Sequence, residues 1–388
     1  MDTTPAALWR PGHMAVVGLG LLGASLIEAA RRNWPGIQVT GISSAATLEK
    51  ALEVGLIDRG FSYSDIDLAC AEVDLVILCT PIDHIQKLLT NWIQKPPTLK
   101  SGCIVTDVGS TKFGICNLGR LAFQNGQVVA QGQVRAHFIG SHPMAGSEKT
   151  GLEARDALLF QNASWVLCPP DNSEDQEARL ALSQLESFAQ ALGARTTQMT
   201  PELHDTVAAH VSHLPQLLAT ALASFIGTRR NVVENCLQIA GGGFRDMTRL
   251  AASAFSVWEP ILQSNRDAVR VVFDDFIQHL TTLSNALETN LGAPFFENGN
   301  QLRGQISKAR KGFALPLSEI LVNLEDRPGT LLKVFSPLAA KGLNVLDVEI
   351  LKVREGEDGT MMLGFHGNEE ALAALDCLQQ SGFKARLR

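Results

Sequence analysis

The sequence lacks features that mark whole classes of protein. Its seven cysteines are an odd number without a C-x-x-C pair, which argues against a disulfide framework or a structural zinc site and is typical of a reducing compartment. Basic residues are fewer than acidic ones, 33 against 40, and the net charge is −7. Such a chain lacks the electrostatic footprint for nucleic acid. We expect a small-molecule substrate, no nucleic acid partner and no metal.

Membrane-spanning and secretory segments are also not predicted. Residues 1–10 lack a basic region followed by an apolar core. The two most apolar stretches, 14–30 and 208–227, are interrupted by glycines and a glutamate in the first and by two histidines and a proline in the second. Both are better interpreted as the interior of a globular protein. We expect a cytoplasmic protein without a membrane partner.

The first 170 residues alternate short apolar runs with helical patterns. The runs lie at residues 14–18, 37–42, 74–79, 103–107 and 137–141. Strands that alternate with helices form parallel sheets that are covered on both faces. Residues 1–172 are therefore predicted to form an α/β dinucleotide-binding domain with a Rossmann-type doubly wound sheet.

Two further domains are predicted after a break rich in proline and aspartate. The pattern of residues 173–297 is helical, and its apolar stretch at 214–226 suits burial or a subunit interface. This predicts an all-α substrate-binding domain and a homodimer. The polar, basic residues 298–316 are predicted to be a linker. Residues 317–388 show the order βαββαβ, which is typical of a ferredoxin-like domain.

A glycine motif follows the first predicted strand. Gly18 permits a tight turn, Gly20 lets the backbone approach a pyrophosphate, and Gly23 allows close packing of the helix on the strand. The acid that would bind the ribose of NAD is replaced by Ser43 and Ser44 at the end of the second strand. The motif predicts NAD(P) binding, with a slight preference for NAD because serine does not attract a 2′-phosphate.

Two polar segments follow the next predicted strands. The first, TDVGSTK, contains Asp107 and Ser110, and the second, GSHPMAG, contains His142. The carboxyl ends of parallel strands face the ligand crevice of an open sheet. A histidine is more often structural, but at this place its near-neutral pKa suits proton transfer during hydride-transfer chemistry.

The helical half also contains candidate residues. Pro215 is expected to kink the helix beside His213 and open its backbone. Arg245 and Arg249 follow a triple glycine and lie four residues apart on one helix face, a spacing that suits a dicarboxylate. The alternative is two solvated arginines. The spacing of His204, His210 and His213 fits no known metal-binding motif.

Five motifs occur in order between residues 14 and 291: GLGLLG, TDVGSTK, GSHPMAGSEKTG, SHLPQ and GGGFRDMTR. This set resembles the prephenate/arogenate dehydrogenase family of tyrosine biosynthesis. The segment LEDRPGTLLKVFSPLAAKGLNVLDVEI resembles an ACT domain, a regulatory module that binds amino acids.

The resemblance implies residue roles. His142 matches the catalytic histidine, Ser110 matches a serine that contacts the ring hydroxyl and the nicotinamide, and Arg249 matches the arginine that binds the ring carboxylate. Further implied substrate-binding residues are Arg245, Asp246, Glu148, Ser212, His213, Gln216 and Trp258. The expected cofactor-binding residues are Gly18, Gly20, Leu21, Leu22, Gly23, Ser43, Ser44, Thr80, Pro81 and Asp107. The implied effector-binding residues, with tyrosine as the expected effector, are Asp326, Pro328, Gly329, Leu331 and Asn344.

The implied reaction is oxidative decarboxylation of prephenate with reduction of NAD(P)+, and three alternatives stay open. Arogenate is an alternative substrate because Gln216 replaces a histidine found in several prephenate-using members. A β-hydroxyacid dehydrogenase or imine reductase would use a lysine on the long helix, but residues 203–225 contain none. A non-catalytic amino-acid sensor is disfavoured because Ser110, His142 and Arg249 are all present.

Overall fold

The computed structural model describes residues 9–124, 136–146, 149–170, 175–229, 232–288, 291–309, 317–325, 327–352 and 359–387. The chain divides into two compact units, Met1–Leu280 and Thr281–Arg388.

The first unit is built on an eight-stranded sheet. Its strands are β1 (His13–Val17), β2 (Gln38–Ile42), β3 (Arg59–Phe61), β4 (Leu75–Leu78), β5 (Ile104–Asp107), β6 (His137–Pro143), β7 (Ser164–Cys168) and β8 (Arg195–Gln198). They are ordered β3-β2-β1-β4-β5-β6-β7-β8. Neighbours are parallel except β6 and β7, which are antiparallel. The predicted Rossmann-type fold is confirmed.

Helices cover both faces of this sheet. They are α1 (Leu21–Asn33), α2 (Ala45–Glu53), α3 (Ile66–Cys70), α4 (Ile82–Gln94), α5 (Phe113–Gln124) and α6 (Gln176–Ala191). Alternate residues of β1 enter opposite cores: Met14 packs in the core that contains Leu26 of α1, and Ala15 packs in the core that contains Leu89 of α4. This two-sided burial explains why β4, the sequence LVIL, is apolar throughout.

The sheet extends further than the predicted boundary at residue 172. Helix α6 and strand β8 continue the layer as far as Gln198, so the start of the segment predicted to be all-α belongs to the sheet. Strand β8 has the sequence RTTQ, and its polar side chains give no apolar signal. The edge strand β3 has three residues and was missed for the same reason.

The rest of the first unit is helical. It contains α7 (Pro201–Ala208), α8 (Leu214–Gly227), α9 (Val233–Ile239), α10 (Gly242–Thr248), α11 (Phe255–Ser264) and α12 (Arg266–Glu288), the last of which runs past the unit boundary. A π-helical turn, Ala209–His213, joins α7 to α8 immediately before Pro215. This turn is the backbone irregularity that the proline predicted.

Helix α8 is less buried than its composition predicts. Its buried residues are Gln216 and Ala219, while Phe225 is 54% exposed in the single chain. An apolar helix that stays exposed marks a surface for association. Among the helices that the structure describes, none combines the length and apolar character needed to cross a membrane.

The second unit contains α13 (Ala293–Ala309) and an α/β domain. The elements of this domain are β9 (Ser318–Leu324), α14 (Thr330–Ala340), β10 (Asp347–Lys352), β11 (Gly359–Phe365), α15 (Gly367–Gln380) and β12 (Ala385–Leu387). The strands are antiparallel in the order β10-β11-β9-β12, which confirms the predicted ferredoxin-like fold. The segment predicted to be a linker, 298–316, is helical as far as Ala309, and residues 310–316 lie outside the described part.

Candidate active site

The glycine motif forms a tight turn between β1 and α1. Gly18 has a φ of +99°, and a Cβ atom there would lie 2.9 Å from the backbone of Cys79. A Cβ at Gly23 would lie 2.0 Å from the carbonyl oxygen of Gly18, whereas at Gly20 it would meet nothing within 4 Å. The first and third glycines therefore serve packing, and the second leaves open space over the helix N-terminus, as a pyrophosphate site requires.

Two adjoining cavities lie at the carboxyl ends of the strands. One has a volume of about 400 Å³ and is reached by Gly18 and Ser43. The other, of about 360 Å³, is reached by residues of the glycine motif, by Ser110 and by α11. Eight of the predicted residues line these cavities, namely Gly18, Gly20, Leu21, Leu22, Ser43, Thr80, Pro81 and Ser110. The two cavities share Gly20, Thr80 and Pro81 as lining residues, so they adjoin beside the glycine motif, where a dinucleotide would bind.

Asp107, which was predicted to bind the cofactor, lies in a buried polar cluster. Its side chain is fully buried and contacts the ammonium group of Lys112. Its carboxylate also accepts hydrogen bonds from the backbone amides of Gly109 (2.8 Å) and Ser141 (3.1 Å). These bonds join the two strand-end segments, and Asp107 lines neither cavity; its contact with the cofactor stays a prediction. Lys112 was missed because nothing in the sequence marks it as buried.

His142 lies near the end of β6 and is connected to two buried residues of α7. Its Nδ1 lies 2.9 Å from Nε2 of His204, and Nδ1 of His204 lies 2.8 Å from a carboxylate oxygen of Asp205. The Asp205 carboxylate also accepts the backbone N–H groups of Lys112 (2.6 Å) and Phe113 (2.9 Å) at the start of α5. The first two bonds form a continuous imidazole–imidazole–carboxylate chain.

The carboxylate fixes the tautomers in this chain. Because Asp205 accepts hydrogen bonds, the proton of neutral His204 is placed on Nδ1, and its Nε2 becomes an acceptor. His142 must then donate from Nδ1, which leaves the lone pair on its Nε2. The arrangement therefore prepares Nε2 of His142 to take up a proton.

Electrostatics also favour a neutral His142. Burial, followed by the nearby His204, Lys112 and His213, holds the pKa of His142 well below its ordinary value of 6.5. Burial likewise lowers the pKa of His213 to about 4. The imidazole of His142 is therefore a free base near neutral pH.

The same cluster reaches α8 and α11. Asn265 donates a hydrogen bond to the backbone carbonyl of Asp205 (2.8 Å), and its amide nitrogen lies 3.3 Å from Nδ1 of His213. The ring of His213 meets that of Trp258 edge to face at 6.0 Å. Two implied substrate residues are thus joined to the chain that orients His142, while Ser212, beside them, is half-buried.

Gln216, one turn further along α8, connects this cluster to the segment that contains Arg249. Its amide nitrogen donates to the carbonyl of Leu250 (2.9 Å) and to the hydroxyl of Thr220 (3.3 Å). These acceptors fix the orientation of the amide. Its carbonyl oxygen is buried and has no hydrogen-bond partner among the described residues.

Other predicted residues are exposed or not described. Arg245, Asp246 and Arg249 are exposed in the single chain, and Ser44 is exposed at the start of α2. In the second unit Gly329 adopts a φ of +85° before α14, with Pro328, Leu331 and Asn344 exposed nearby in sequence. Glu148 and Asp326 lie outside the described residues.

Comparison with known families gives three matches along the chain. Residues 26–198 match the nucleotide-binding domain of prephenate dehydrogenase, and residues 200–298 match its dimerization domain. Residues 318–376 match the ACT domain.

Individual relatives agree with these matches. The chain is 30% identical over 370 residues to prephenate dehydrogenase of Bacillus subtilis, covering 94% of this chain and 95% of that protein. Among solved structures, prephenate dehydrogenase from Aquifex aeolicus, in complex with hydroxyphenyl propionate and NAD+, is 25% identical with a TM-score of 0.65 and covers 76% of this chain and 98% of that one. Arogenate dehydrogenase from Synechocystis is 31% identical with a TM-score of 0.61 and covers the same shares.

Proposed function

This chain belongs to the prephenate dehydrogenase family, and we propose that it converts prephenate to 4-hydroxyphenylpyruvate and CO2 with reduction of NAD(P)+. The observation that carries the proposal is the orientation of His142 by His204 and Asp205. In this proposal the three side chains hold a neutral base near the carboxyl end of β6.

The imidazole can serve as base and then as acid in one turnover. Nε2 of His142 takes the proton of the ring hydroxyl while the carbinol carbon loses hydride and becomes a carbonyl. When bound, NAD(P)+ is the hydride acceptor. The bond between the ring and its carboxylate then breaks, CO2 leaves, and its electron pair makes the ring aromatic. His142 returns the proton to the resulting phenolate oxygen, so no net proton is released.

Two other residues complete the proposed chemistry. Ser110 lines the cavity that contains the glycine motif, where its hydroxyl can contact the ring hydroxyl. Arg249, beside the segment bonded to Gln216, is proposed to bind the ring carboxylate. This carboxylate is lost in the reaction, so the guanidinium group must hold it without stabilising the ground state more than the transition state.

The test replaces His142 with asparagine. His142→Asn should retain substrate and cofactor binding and lose about 10²- to 10⁴-fold in turnover, the usual contribution of a general base. The matched control is His210→Asn, because His210 is an exposed histidine on the π-helical turn Ala209–His213. Turnover of His142→Asn at the level of this control would remove His142 from the mechanism.

Arogenate is a second candidate substrate, favoured by the unpartnered carbonyl oxygen of Gln216. The ammonium group of arogenate donates hydrogen bonds, while the keto oxygen of prephenate only accepts them. Measuring kcat/KM for both substrates in the wild type and in Gln216→Leu separates the two. If Gln216 serves arogenate, this variant loses activity with arogenate selectively.

We propose tyrosine as the effector of the C-terminal domain. The ACT match and the left-handed turn at Gly329, which leads into α14, support this assignment. The full chain should be inhibited by tyrosine, with phenylalanine as the control ligand. Gly329→Val should reduce the inhibition, because β-branched residues disfavour a positive φ. Unchanged activity and melting temperature with tyrosine would exclude it as the effector.

The proposal also includes a homodimer and a cytoplasmic location. The match to a dimerization domain and the exposed apolar face of α8 support a homodimer. All seven cysteines are free thiols, which supports a cytoplasmic location. Light scattering on the full chain tests the dimer.

A further inference from the structure

The cavity at the end of β2 presents polar groups where many NAD enzymes have an acid. Ser43 directly follows this strand, lines the cavity and is 6% exposed. Its backbone amide donates to the carbonyl of Phe61 (3.2 Å). Within the described residues its hydroxyl makes no hydrogen bond, so it is a buried polar group available to a ligand in the cavity.

Three further polar side chains surround the same space. Thr47 in the first turn of α2, Lys50 in its last turn and Tyr63 in the turn after β3 all line the cavity. The Thr47 hydroxyl lies 2.9 Å from that of Ser44. In the part of the chain that the structure describes, Lys50 forms no ion pair, so its charge is available to an anion.

The carboxylate that lines this cavity does not come from the end of β2. The carboxylate among the lining residues belongs to Glu153, on the short helix Leu152–Ala154. It is largely exposed to solvent and lies 3.9 Å from the guanidinium group of Arg155, which is also 3.5 Å from the carboxylate of Glu28. The end of β2, where an acid would bind the ribose hydroxyls and repel a 2′-phosphate, carries none.

We propose that Ser43, Thr47 and Lys50 form a site for the 2′-phosphate of NADP+, and that the enzyme prefers NADP+ to NAD+. The inference rests on the proposed function for the position of the dinucleotide. Hydroxyl groups can donate to the phosphate oxygens, and the ammonium group supplies a charge-assisted contact. The slight preference for NAD, inferred from Ser43 alone, is thereby reversed, because the fold adds Lys50 and Thr47 to the same cavity.

Nucleotide fragments test the site without any turnover. Calorimetry on the full chain compares 2′,5′-ADP with 5′-AMP, which differ by the 2′-phosphate. We expect 2′,5′-ADP to bind at least about tenfold more tightly, the factor that one charge-assisted hydrogen bond supplies, and the advantage to shrink as salt is raised. Equal binding, or tighter binding of 5′-AMP, would overturn the proposal.

Two substitutions test which residues bind the 2′-phosphate, and a third, at a lysine outside the cavity, is the control. Lys50→Gln should reduce the preference for 2′,5′-ADP about fivefold or more, whereas Lys87→Gln, an exposed lysine on α4 outside the cavity, should not. Ser43→Asp should reverse the preference. Equal ratios in Lys50→Gln and Lys87→Gln would refute the site. Since no prephenate is present, this outcome is independent of the proposed dehydrogenase activity.

Discussion

Replacing His204 with phenylalanine should slow turnover while leaving cofactor affinity unchanged. The side chain of His204 is buried, and its Nε2 lies 2.9 Å from Nδ1 of His142. It lines neither of the two cavities beside the glycine motif. Phenylalanine retains an aromatic ring of similar shape but removes the acceptor. The proton on Nδ1 of His142 is then left without its partner, and the orientation of Nε2 is no longer fixed.

The magnitude follows from this lost bond. A buried donor without a partner costs about 1–3 kcal/mol, and about 1.4 kcal/mol corresponds to tenfold in rate. We expect kcat to fall roughly 10- to 100-fold, less than in His142→Asn, because the base itself is still present. His204→Gln offers an amide oxygen as acceptor and should lose less.

Steady-state kinetics on both variants test the reasoning. His204→Gln keeps an acceptor for Nδ1 of His142 and should recover part of the turnover that His204→Phe loses, with KM for the cofactor unchanged in both variants. If His204→Phe keeps turnover within threefold of the wild type, or if His204→Gln loses as much as His204→Phe, His204 does not position the base.

Three further predictions concern stability and cofactor binding. Lys112→Met should lower the free energy of unfolding by about 3–5 kcal/mol, because it leaves the carboxylate of Asp107 buried without its cation. Urea unfolding measures this loss, and the double variant Lys112→Met/Asp107→Asn should regain part of it. Gly18→Ala should weaken dinucleotide binding at least tenfold in calorimetry, since its Cβ would approach Cys79 to 2.9 Å at a positive φ; wild-type affinity would contradict the packing argument. The free energy of unfolding should fall as pH is lowered from about 6.5 to about 4, because the unfolded chain protonates His213 and the folded one does not; His213→Gln should reduce this slope, and an unchanged slope would show that another group causes it.

The sequence signals that succeeded are local ones. Strand β4 is apolar throughout because both of its faces are covered, and the spacing of Gly18, Gly20 and Gly23 reflects a backbone turn that is complete within a few residues. The place of His142 near the end of a sheet strand could also be predicted, because an apolar run precedes it, and its catalytic role stays a prediction.

The partners of His142 could not be predicted in the same way. His204 is 62 residues away in the chain, and its contact exists only because α7 packs against the start of α5. The short polar strand β8 gave no apolar pattern, since it lies at the edge of the sheet. Residues 298–309 of α13 were predicted to be part of a linker because the segment is polar and basic. Gly299 and Gly304 within it each disfavour a helix by about 1 kcal/mol relative to alanine.

The hydrogen bonds of the Asp205 carboxylate also restrict how α7 can move relative to α5. The carboxylate joins α7 to the first amides of α5, and so couples the helical part of the unit to the sheet at the point where the base is held. Any hinge rotation at this junction would break those bonds and disorient His142. Exchange of substrate and product should therefore proceed by displacements elsewhere in the molecule, while this junction stays rigid.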